Sequence, residues 1–405
     1  MPPEPSVPPE PPVRPESGPL AGLPLLEDLP PLEGVRVLVR VDFIVPLGHT
    51  RDEQAFVADD FRMRSALPTL TWLAGRGAEV IACSHLGRPK GKVDPRYDMA
   101  PVRARLAELA PGVTLLDNLR FDPGEESNDP AFVDRLVEGC GAYVNDAFGS
   151  SHRAHASIVG PPGRLPSAAG RLLAREVEVL GGLLVEPRRP FVAVVGGAKV
   201  ADKIGVLRAL LSHVDRLVVG GGMAFTFLAA QGHRVGASLV DAGHVSDCGR
   251  LLEEYADAVV LPSDVVALTP GGVVGQDTPG TGEVRHFGVE IPAGWRGLDI
   301  GPESAGNYAE VVAGAGTVFW NGPMGVFEDE RFAAGTRTVA AAVAEARGFS
   351  VVGGGDTVAA LDHLRLGNEV DYVSTGGGAS LELLEHGDLP GLDALRHAAN
   401  APGPR

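Results

Sequence analysis

The chain has 405 residues, 44% hydrophobic and 21% charged, which is the composition of a globular protein long enough for two domains with full cores. Its net charge of −17 argues against nucleic acid and anionic membranes as partners, because both bind basic surfaces. Three scattered cysteines form neither a disulfide framework nor a metal-ligand spacing, and no signal peptide or run of ~20 apolar residues is present. These features favour a cytoplasmic protein.

Residues 1–30 contain eleven prolines. Such a composition continues neither a helix nor a sheet and predicts an extended, disordered arm. A proline-rich docking motif is the less favoured alternative.

From residue 35 onward, short apolar strands alternate with turns and helical patterns. The strands are predicted at 35–41, 78–83, 113–116, 142–145, 191–195, 217–219, 258–261, 317–320, 350–352 and 371–374. This alternation predicts parallel sheets, and ligands of such sheets bind at the edge where the strands end. A helical pattern within 165–190 predicts a helix and a hinge. We expect an α/β protein with two doubly wound, Rossmann-like parallel-sheet domains, at 31–187 and 188–389.

The stretch FVAVVGGAKVADKIG (191–205) predicts a buried strand, a glycine turn and the start of a helix. Such a turn offers backbone N–H groups and a helix N-terminus to an anion. Lys199 and Lys203, four residues apart on the predicted helix, would both point toward that anion. An ordinary turn with two solvated lysines explains this stretch equally well when it is taken alone.

The predicted strand ends carry different residues in the two halves. The first half places Asp42, His85, Arg88, Arg120 and Arg153 there, which suits a small substrate with carboxylate and phosphate groups. The second half places glycines there, which let the backbone approach a polyphosphate and a flat base. The sequence therefore predicts an acid-binding first domain and a nucleotide-binding second domain.

Generic nucleotide and metal motifs are not supported. No G-x-G-x-x-G follows a predicted strand, and the run 87–93 is one residue short of a P-loop and lacks its Ser or Thr. His152 and His155 lie three residues apart, but no Cys, Asp or Glu cluster completes a metal site, so hydrogen bonding is the favoured role.

From residue 35 onward the chain resembles the phosphoglycerate kinase family. The resemblance rests on long motifs that occur in order: RVDF and VP within 40–46, SHLGRPKG (84–91), NLRF (118–121), NDAFG and HRAH within 145–155, GGAKV and DKI within 196–204, GGGMAFTFL (220–228), GLDIGPES (297–304), WNGPMGVFE (320–328), GGGDT (353–357) and STGGGASLE (374–382).

The resemblance implies two hinged domains, with a tail at 390–405 that returns to the first. It implies reversible phosphoryl transfer between 1,3-bisphosphoglycerate with MgADP and 3-phosphoglycerate with MgATP, by a monomer in glycolysis or gluconeogenesis. The phosphoglycerate site would contain Asp42, Phe43, Ile44, Arg62, His85, Leu86, Gly87, Arg88, Arg120 and Arg153. The nucleotide site would contain Gly196, Gly197, Lys199, Lys203, Gly221, Gly222, Gly297, Asn321, Pro323, Glu328, Gly354, Gly355, Asp356 and Thr357, with Glu328 at the ribose and Asp356 at Mg²⁺. Catalysis would fall to Arg62, Lys199, Lys203, Gly377 and Gly378.

Three features depart from the family pattern. Ile44 stands where the family motif has Asn, and its side chain forms no hydrogen bond. The loop at 48–58 is longer than usual, so the substrate arginine is Arg62 with Arg64 as the fallback, and the proline-rich arm has no counterpart. The alternative to an active kinase is a nucleotide-binding paralogue with a weak or altered acid substrate and a regulatory or binding role.

Overall fold

The computed structural model describes residues 18, 20–50, 54–275 and 279–400. Contacts between Cα atoms divide these residues into two compact units. The first unit ends at Gly181 and also contains the residues from Asp388 onward, and the second unit runs from Gly182 to Gly387. Among the described residues, no helix is both long and apolar enough to cross a membrane.

The first unit is built on a five-stranded parallel sheet. Its helices and strands are β1 (Arg36–Val41), β2 (Leu47–His49), β3 (Ala55–Val57), α1 (Phe61–Ala74), β4 (Glu79–Cys83), α2 (Ala100–Leu109), β5 (Thr114–Leu115), α3 (Pro130–Leu136), β6 (Ala142–Asp146), α4 (Ala156–Val159), β7 (Ser167–Ala169) and α5 (Arg171–Val185). The strand order is β5-β4-β1-β6-β7, and β2 and β3 form a separate antiparallel pair. Helix α5 begins in this unit and continues past Gly181.

The core of the first unit explains why its strands read as continuous apolar runs. β1 is buried at five of its six positions and pairs with β4 on one side and β6 on the other. Helix α1 packs Met63, Ala66, Leu70 and Leu73 onto this sheet at helical spacing. Because the strands are parallel, the residues that follow β1, β4 and β6 meet at one edge.

The second unit contains a six-stranded parallel sheet and a small antiparallel sheet. Its helices and strands are β8 (Phe191–Val195), α6 (Ile204–Leu211), β9 (Arg216–Val219), α7 (Ala224–Ala230), α8 (Val245–Glu254), β10 (Val259–Val260), β11 (Asp264–Leu268), β12 (Val284–Gly288), β13 (Arg296–Ile300), α9 (Pro302–Ala313), β14 (Thr317–Asn321), α10 (Ala334–Ala344), β15 (Phe349–Gly353), α11 (Gly355–Leu364), β16 (Tyr372–Val373) and α12 (Gly378–His386). The parallel order is β10-β9-β8-β14-β15-β16, and β12-β11-β13 is antiparallel.

A C-terminal helix, α13 (Pro390–Asn400), belongs to the first unit. It packs on α4 and β7, with Leu392 and Leu395 buried. The backbone N–H of Gly391 donates to the carbonyl oxygen of Ser151 at 2.9 Å.

The predicted α/β architecture with parallel sheets is confirmed, but some elements differ from the predictions. The strands β2, β3, β7 and β11–β13 were not predicted, because they are short or antiparallel and do not follow the strand–turn–helix alternation. Contacts divide the chain after 181 and after 387, whereas the sequence placed boundaries after 187 and after 389.

The predicted arm at 1–30 lies outside the described residues at 1–17 and 19. For 20–30 the prediction of disorder is wrong. Leu23 and Leu26 are buried, and the carbonyl oxygen of Pro24 accepts a hydrogen bond of 2.8 Å from the backbone of Ala169 in edge strand β7. Leucines among the prolines therefore anchor this segment to the sheet.

Candidate active site

Asp42 lies directly after β1 and is buried in the first unit. Its Oδ1 atom accepts a hydrogen bond from Ser150 and another from Arg40 at 3.3 Å. Its Oδ2 atom is buried without a hydrogen-bond partner among the described residues. A buried carboxylate oxygen without a partner is unfavourable unless a ligand or water supplies a donor, so this atom is a candidate for ligand binding.

The segment after β4 carries His85 and Arg88, and its backbone is held in place from two sides. Asn118 donates to the carbonyl oxygen of Leu86 at 2.7 Å, and Arg120 donates to that of Gly87 at 2.9 Å. Gly87 has φ +61°, and a Cβ atom there would lie 2.1 Å from the Tyr97 ring, so this position requires glycine. The sequence singled out Arg120 but did not assign a role to Asn118.

Positive charge is concentrated around this segment. Burial lowers the pKa of His155 to about 4, with Arg120, Arg40 and Arg153 acting in the same direction. Burial also lowers the pKa of His85, again assisted by Arg40 and Arg120. The structure thus brings Asp42, His85, Arg120 and Arg153 together with Arg40 and His155, two residues to which the sequence gave no substrate role.

The two arginines proposed for the start of α1 differ in their surroundings. Arg64, the fallback, forms an ion pair with Asp60 at 2.8 Å. Arg62 is half-buried and has no ion-pair partner among the described residues. Arg62 is therefore the cation that remains available to a ligand. Arg88 is exposed, Ile44 is half-buried, and Phe43 and Leu86 are buried.

In the second unit, a cavity of about 270 Å³ lies at the carboxyl edge of the parallel sheet. It is lined by seven predicted residues: Gly197, Gly221, Gly222, Gly297, Pro323, Glu328 and Asp356. It is also lined by six that were not predicted: Ala198, Leu239, Arg296, Leu298, Gly325 and Val326. Gly297 of β13 was predicted from its motif, whereas its neighbours Arg296 and Leu298 on the same strand were not.

Glycines in and beside this cavity are packed closely against other parts of the protein. A Cβ atom at Gly196 would lie 2.1 Å from the carbonyl oxygen of Pro323, and one at Gly221 would lie 2.5 Å from the nitrogen of Gly197. One at Gly297 would lie 2.2 Å from the Phe225 ring. These glycines allow the protein's own loops and side chains to pack closely, whereas the predicted approach of phosphates to them stays a prediction.

Lys203 precedes α6, which begins at Ile204 and not at Val200 as predicted. Its Nζ atom donates to the carbonyl oxygen of Gly196 and to the side-chain oxygen of Asn321, both at 2.7 Å. Burial lowers the pKa of Lys203 to about 8, opposed by the charges of Asp356 and Asp202. Lys199 is exposed in the turn before the helix, so the helical spacing predicted for the two lysines is wrong.

Two further helices of the second unit begin directly after glycines with positive φ. Gly354, with φ +95°, precedes α11, and Asp356 lies in the first turn of that helix. Gly377, with φ +54°, precedes α12. The hydroxyl oxygen of Thr357 accepts a hydrogen bond of 2.6 Å from the backbone of Gly322, and this side chain is fully buried. Thr357 therefore packs into the protein and does not line the cavity.

The chain is similar to proteins of known function. The family model described as phosphoglycerate kinase matches residues 26–114 and 110–387. A phosphoglycerate kinase of Rubrobacter xylanophilus is 50% identical over 388 residues, covering 90% of this chain and 96% of that protein. One from Parafrankia sp. is 50% identical over 404 residues, covering 91% and 99%.

The chain belongs to the phosphoglycerate kinase family. The solved structure of phosphoglycerate kinase from Coxiella burnetii superimposes with a TM-score of 0.81 at 38% identity, covering 93% of this chain and 99% of that one. The protein is therefore a kinase that transfers a phosphoryl group between a nucleotide and a carboxyl group, in the reversible glycolytic reaction of 1,3-bisphosphoglycerate and ADP. The comparisons do not favour the alternative of a regulatory paralogue.

Proposed function

We propose that the first unit binds 3-phosphoglycerate or 1,3-bisphosphoglycerate at the end of its sheet. The observation that carries this assignment is the group formed by His85, Arg120 and Arg153 around one sheet edge that also holds a buried, unpaired oxygen of Asp42. Arginines suit the phosphate and carboxylate groups of the substrate, and a carboxylate suits its hydroxyl. Arg62, Arg88 and the backbone around Ile44 complete the proposed site.

The second unit binds ATP or ADP in its cavity. Glu328 lines this cavity, and its carboxylate suits the hydroxyls of a ribose, whereas the apolar side chains of Leu239, Leu298 and Val326 suit a flat base. The N-termini of α11 and α12, at Gly355 and Gly378, offer backbone N–H groups to phosphates.

The phosphoryl acceptor in the ATP-consuming direction is a carboxylate, which is ionised at neutral pH, so no general base is needed. The protein must instead align the reactants and stabilise charge on the moving phosphoryl group. Lys203 supplies one such charge, because a pKa of about 8 leaves it protonated at neutral pH. Arg62 supplies a second charge in this proposal.

Mg²⁺ is assigned to Asp356 and the nucleotide phosphates. Asp356 lines the cavity, and its charge acts on the nearby Lys203. The described part of the chain contains no group of three His, Cys, Asp or Glu residues that would form a protein-only metal site. A single carboxylate fits Mg²⁺, which proteins often bind through one or two carboxylates and substrate phosphates, and the ion neutralises phosphate charge when bound. A monomeric state and a cytoplasmic location without nucleic-acid or membrane partners stay predictions.

A coupled assay tests this proposal. The purified chain is mixed with ATP, Mg²⁺ and 3-phosphoglycerate, and formation of ADP is followed. We expect turnover that requires all three components and is abolished by chelating Mg²⁺. Turnover that persists without 3-phosphoglycerate, or with other carboxylic acids only, would contradict the substrate assignment.

A further inference from the structure

Arg40 is a fully buried arginine at the end of β1, directly beneath the proposed acid site. Its Nη1 atom donates to Asp42 at 3.3 Å and to the backbone carbonyl of Val41. Its Nη2 atom donates to His85 Nδ1 at 2.8 Å and to Ser150 at 3.3 Å. One guanidinium therefore sets the positions of two proposed substrate ligands, Asp42 and His85.

The remaining donor of Arg40, its Nε–H, begins a chain of hydrogen bonds through Ser157 to Glu125. Arg40 Nε donates to Ser157 Oγ at 2.9 Å, and Ser157 Oγ donates to Glu125 at 2.6 Å. The backbone N–H of Ser157 donates to the other oxygen of Glu125 at 2.9 Å. All three side chains are fully buried, so water does not compete for these bonds.

The donors and acceptors of this chain fix its direction. A guanidinium only donates, so Ser157 Oγ must accept from Arg40, and its single hydrogen then goes to the carboxylate of Glu125. By the same rule, His85 Nδ1 must accept from Arg40. The proton of a neutral His85 therefore resides on Nε2.

The surroundings of His85 also disfavour a second proton. The groups facing it are Arg40, Arg120, Arg153, His155 and, through Ser150, Asp42. Burial is the largest cause that lowers its pKa, and the four cationic or titratable neighbours add to it. Four of these five groups oppose a positive charge on the ring.

We propose that Glu125 and Ser157 are positioning residues of the acid site, which act through Arg40 to hold His85 as the neutral Nε2–H tautomer. His85 then offers the acid substrate one directed hydrogen bond and no charge, and the arginines provide the charge. This inference rests on the proposed assignment of His85 to the phosphoglycerate site.

The tautomer is tested by NMR on the full chain labelled with ¹⁵N-histidine. The His85 signals are identified by their loss in a His85→Asn variant. We expect a protonated Nε2 and an unprotonated Nδ1 from about pH 5 to pH 9, without titration between them. Protonation at Nδ1, or a titration near neutral pH, would overturn the proposal.

Addition of 3-phosphoglycerate to the same sample separates this inference from the underlying site assignment. A shift of the Nε2 signal that saturates with the substrate supports the donor role. An unmoved Nε2 signal in an enzyme that still turns over overturns that role for His85, while the coupled assay shows that the kinase function stands.

The positioning role is tested with Ser157→Ala, which leaves Arg40 Nε without its acceptor. We expect the KM for 3-phosphoglycerate to rise about tenfold, with the KM for MgATP unchanged. Ser157→Thr restores the hydroxyl and should recover most of this loss. Ser167→Ala is the matched control, because that hydroxyl donates only to the carbonyl oxygen of Leu165 at 2.8 Å. An unchanged KM for 3-phosphoglycerate in Ser157→Ala, or equal rises for both substrates, would overturn the role.

Discussion

Asn321 at the end of β14 accepts a hydrogen bond of 2.7 Å from Lys203, and its amide nitrogen donates to the carbonyl oxygen of Gly353 at 2.9 Å. Asn321 thus connects the lysine that precedes α6 to the loop that begins α11. Among the residues that the structure describes, the lysine contacts no carboxylate, which keeps its charge available to a phosphoryl group.

Replacing Lys203 with Ala should reduce kcat by about 10²–10³ fold, because it removes charge that stabilises the transition state. Because Lys203 Nζ also donates to Gly196 and Asn321, the variant should lose some stability, so kcat is measured well below its thermal midpoint. Steady-state kinetics and thermal unfolding measure these two effects. Arg250→Ala, which removes an exposed cation of α8, is the matched control. A Lys203→Ala enzyme with full turnover would rule out the proposed role.

The pH dependence of kcat should show the deprotonation of Lys203. Because burial lowers its pKa from 10.5 to about 8, turnover should decline as the pH rises through about 8. Asn321→Asp places a negative charge beside the ammonium group of Lys203, which should raise the pKa of the lysine and move this decline to higher pH. Rate profiles between pH 6 and pH 10 test both statements, and coincident profiles for the two proteins would count against them.

Ile44→Asn restores the residue of the family motif at the end of β1. Ile44 is half-buried, so part of its side chain is accessible to a ligand. If the missing amide leaves a substrate oxygen unpaired, the variant should lower the KM for 3-phosphoglycerate by about tenfold. The KM for MgATP serves as the internal control. An unchanged value would mean that other groups already satisfy that oxygen.

Asp356→Asn should weaken the dependence of the enzyme on Mg²⁺, because it removes the one carboxylate assigned to the ion. The Mg²⁺ concentration for half-maximal activity should rise about tenfold or more at fixed ATP. Titration of activity with MgCl₂ measures this. The half-buried Asp247 of α8, which pairs with Arg250, supplies a control, Asp247→Asn, whose Mg²⁺ requirement should match that of the unaltered chain. Equal requirements in Asp356→Asn would refute the assignment.

Asp146 at the end of β6 predicts a pH effect on stability. Its Oδ1 accepts from the backbone of Leu172 and Leu173 in the first turn of α5, and burial raises its pKa from 3.8 to about 7. The folded state then holds a proton that the unfolded chain releases above about pH 3.8. The unaltered chain should therefore lose stability relative to Asp146→Asn as the pH rises from about 4 to about 7, and no further above it. Urea unfolding of both proteins at several pH values measures this difference, and a difference constant with pH would contradict it.

The sequence predicted the parallel strands well, because a strand buried on both faces is apolar throughout, as in β8. It did not predict β12, whose residues are all half-buried or exposed and lack a continuous apolar run. Arg296, which lines the cavity from β13 of the same sheet, was missed because it lies just before the motif that begins at Gly297. Local patterns report burial, so elements with little burial give a weak signal.

Site residues within motifs were found from the sequence, whereas their supports were not. His85 and Asp42 stand in recognisable motifs, but the bond from Arg40 to Ser157 joins residues 117 positions apart. Spacing along the chain carries no information about such a contact. The prediction that Lys199 and Lys203 share a helical spacing was wrong for another reason. An apolar residue at Val200 is compatible with a helix and also with the buried turn that the chain forms there.

The position of α13 has a consequence for the order in which the protein assembles. The ribosome synthesises the whole of the second unit before it synthesises α13, whose Leu392 and Leu395 are buried in the first unit. The second unit is a single uninterrupted segment and can acquire its native structure during translation. The sheet of the first unit is synthesised earlier, but this unit cannot complete its core until α13 has been synthesised. The unit whose synthesis starts first is therefore the one whose folding is completed last.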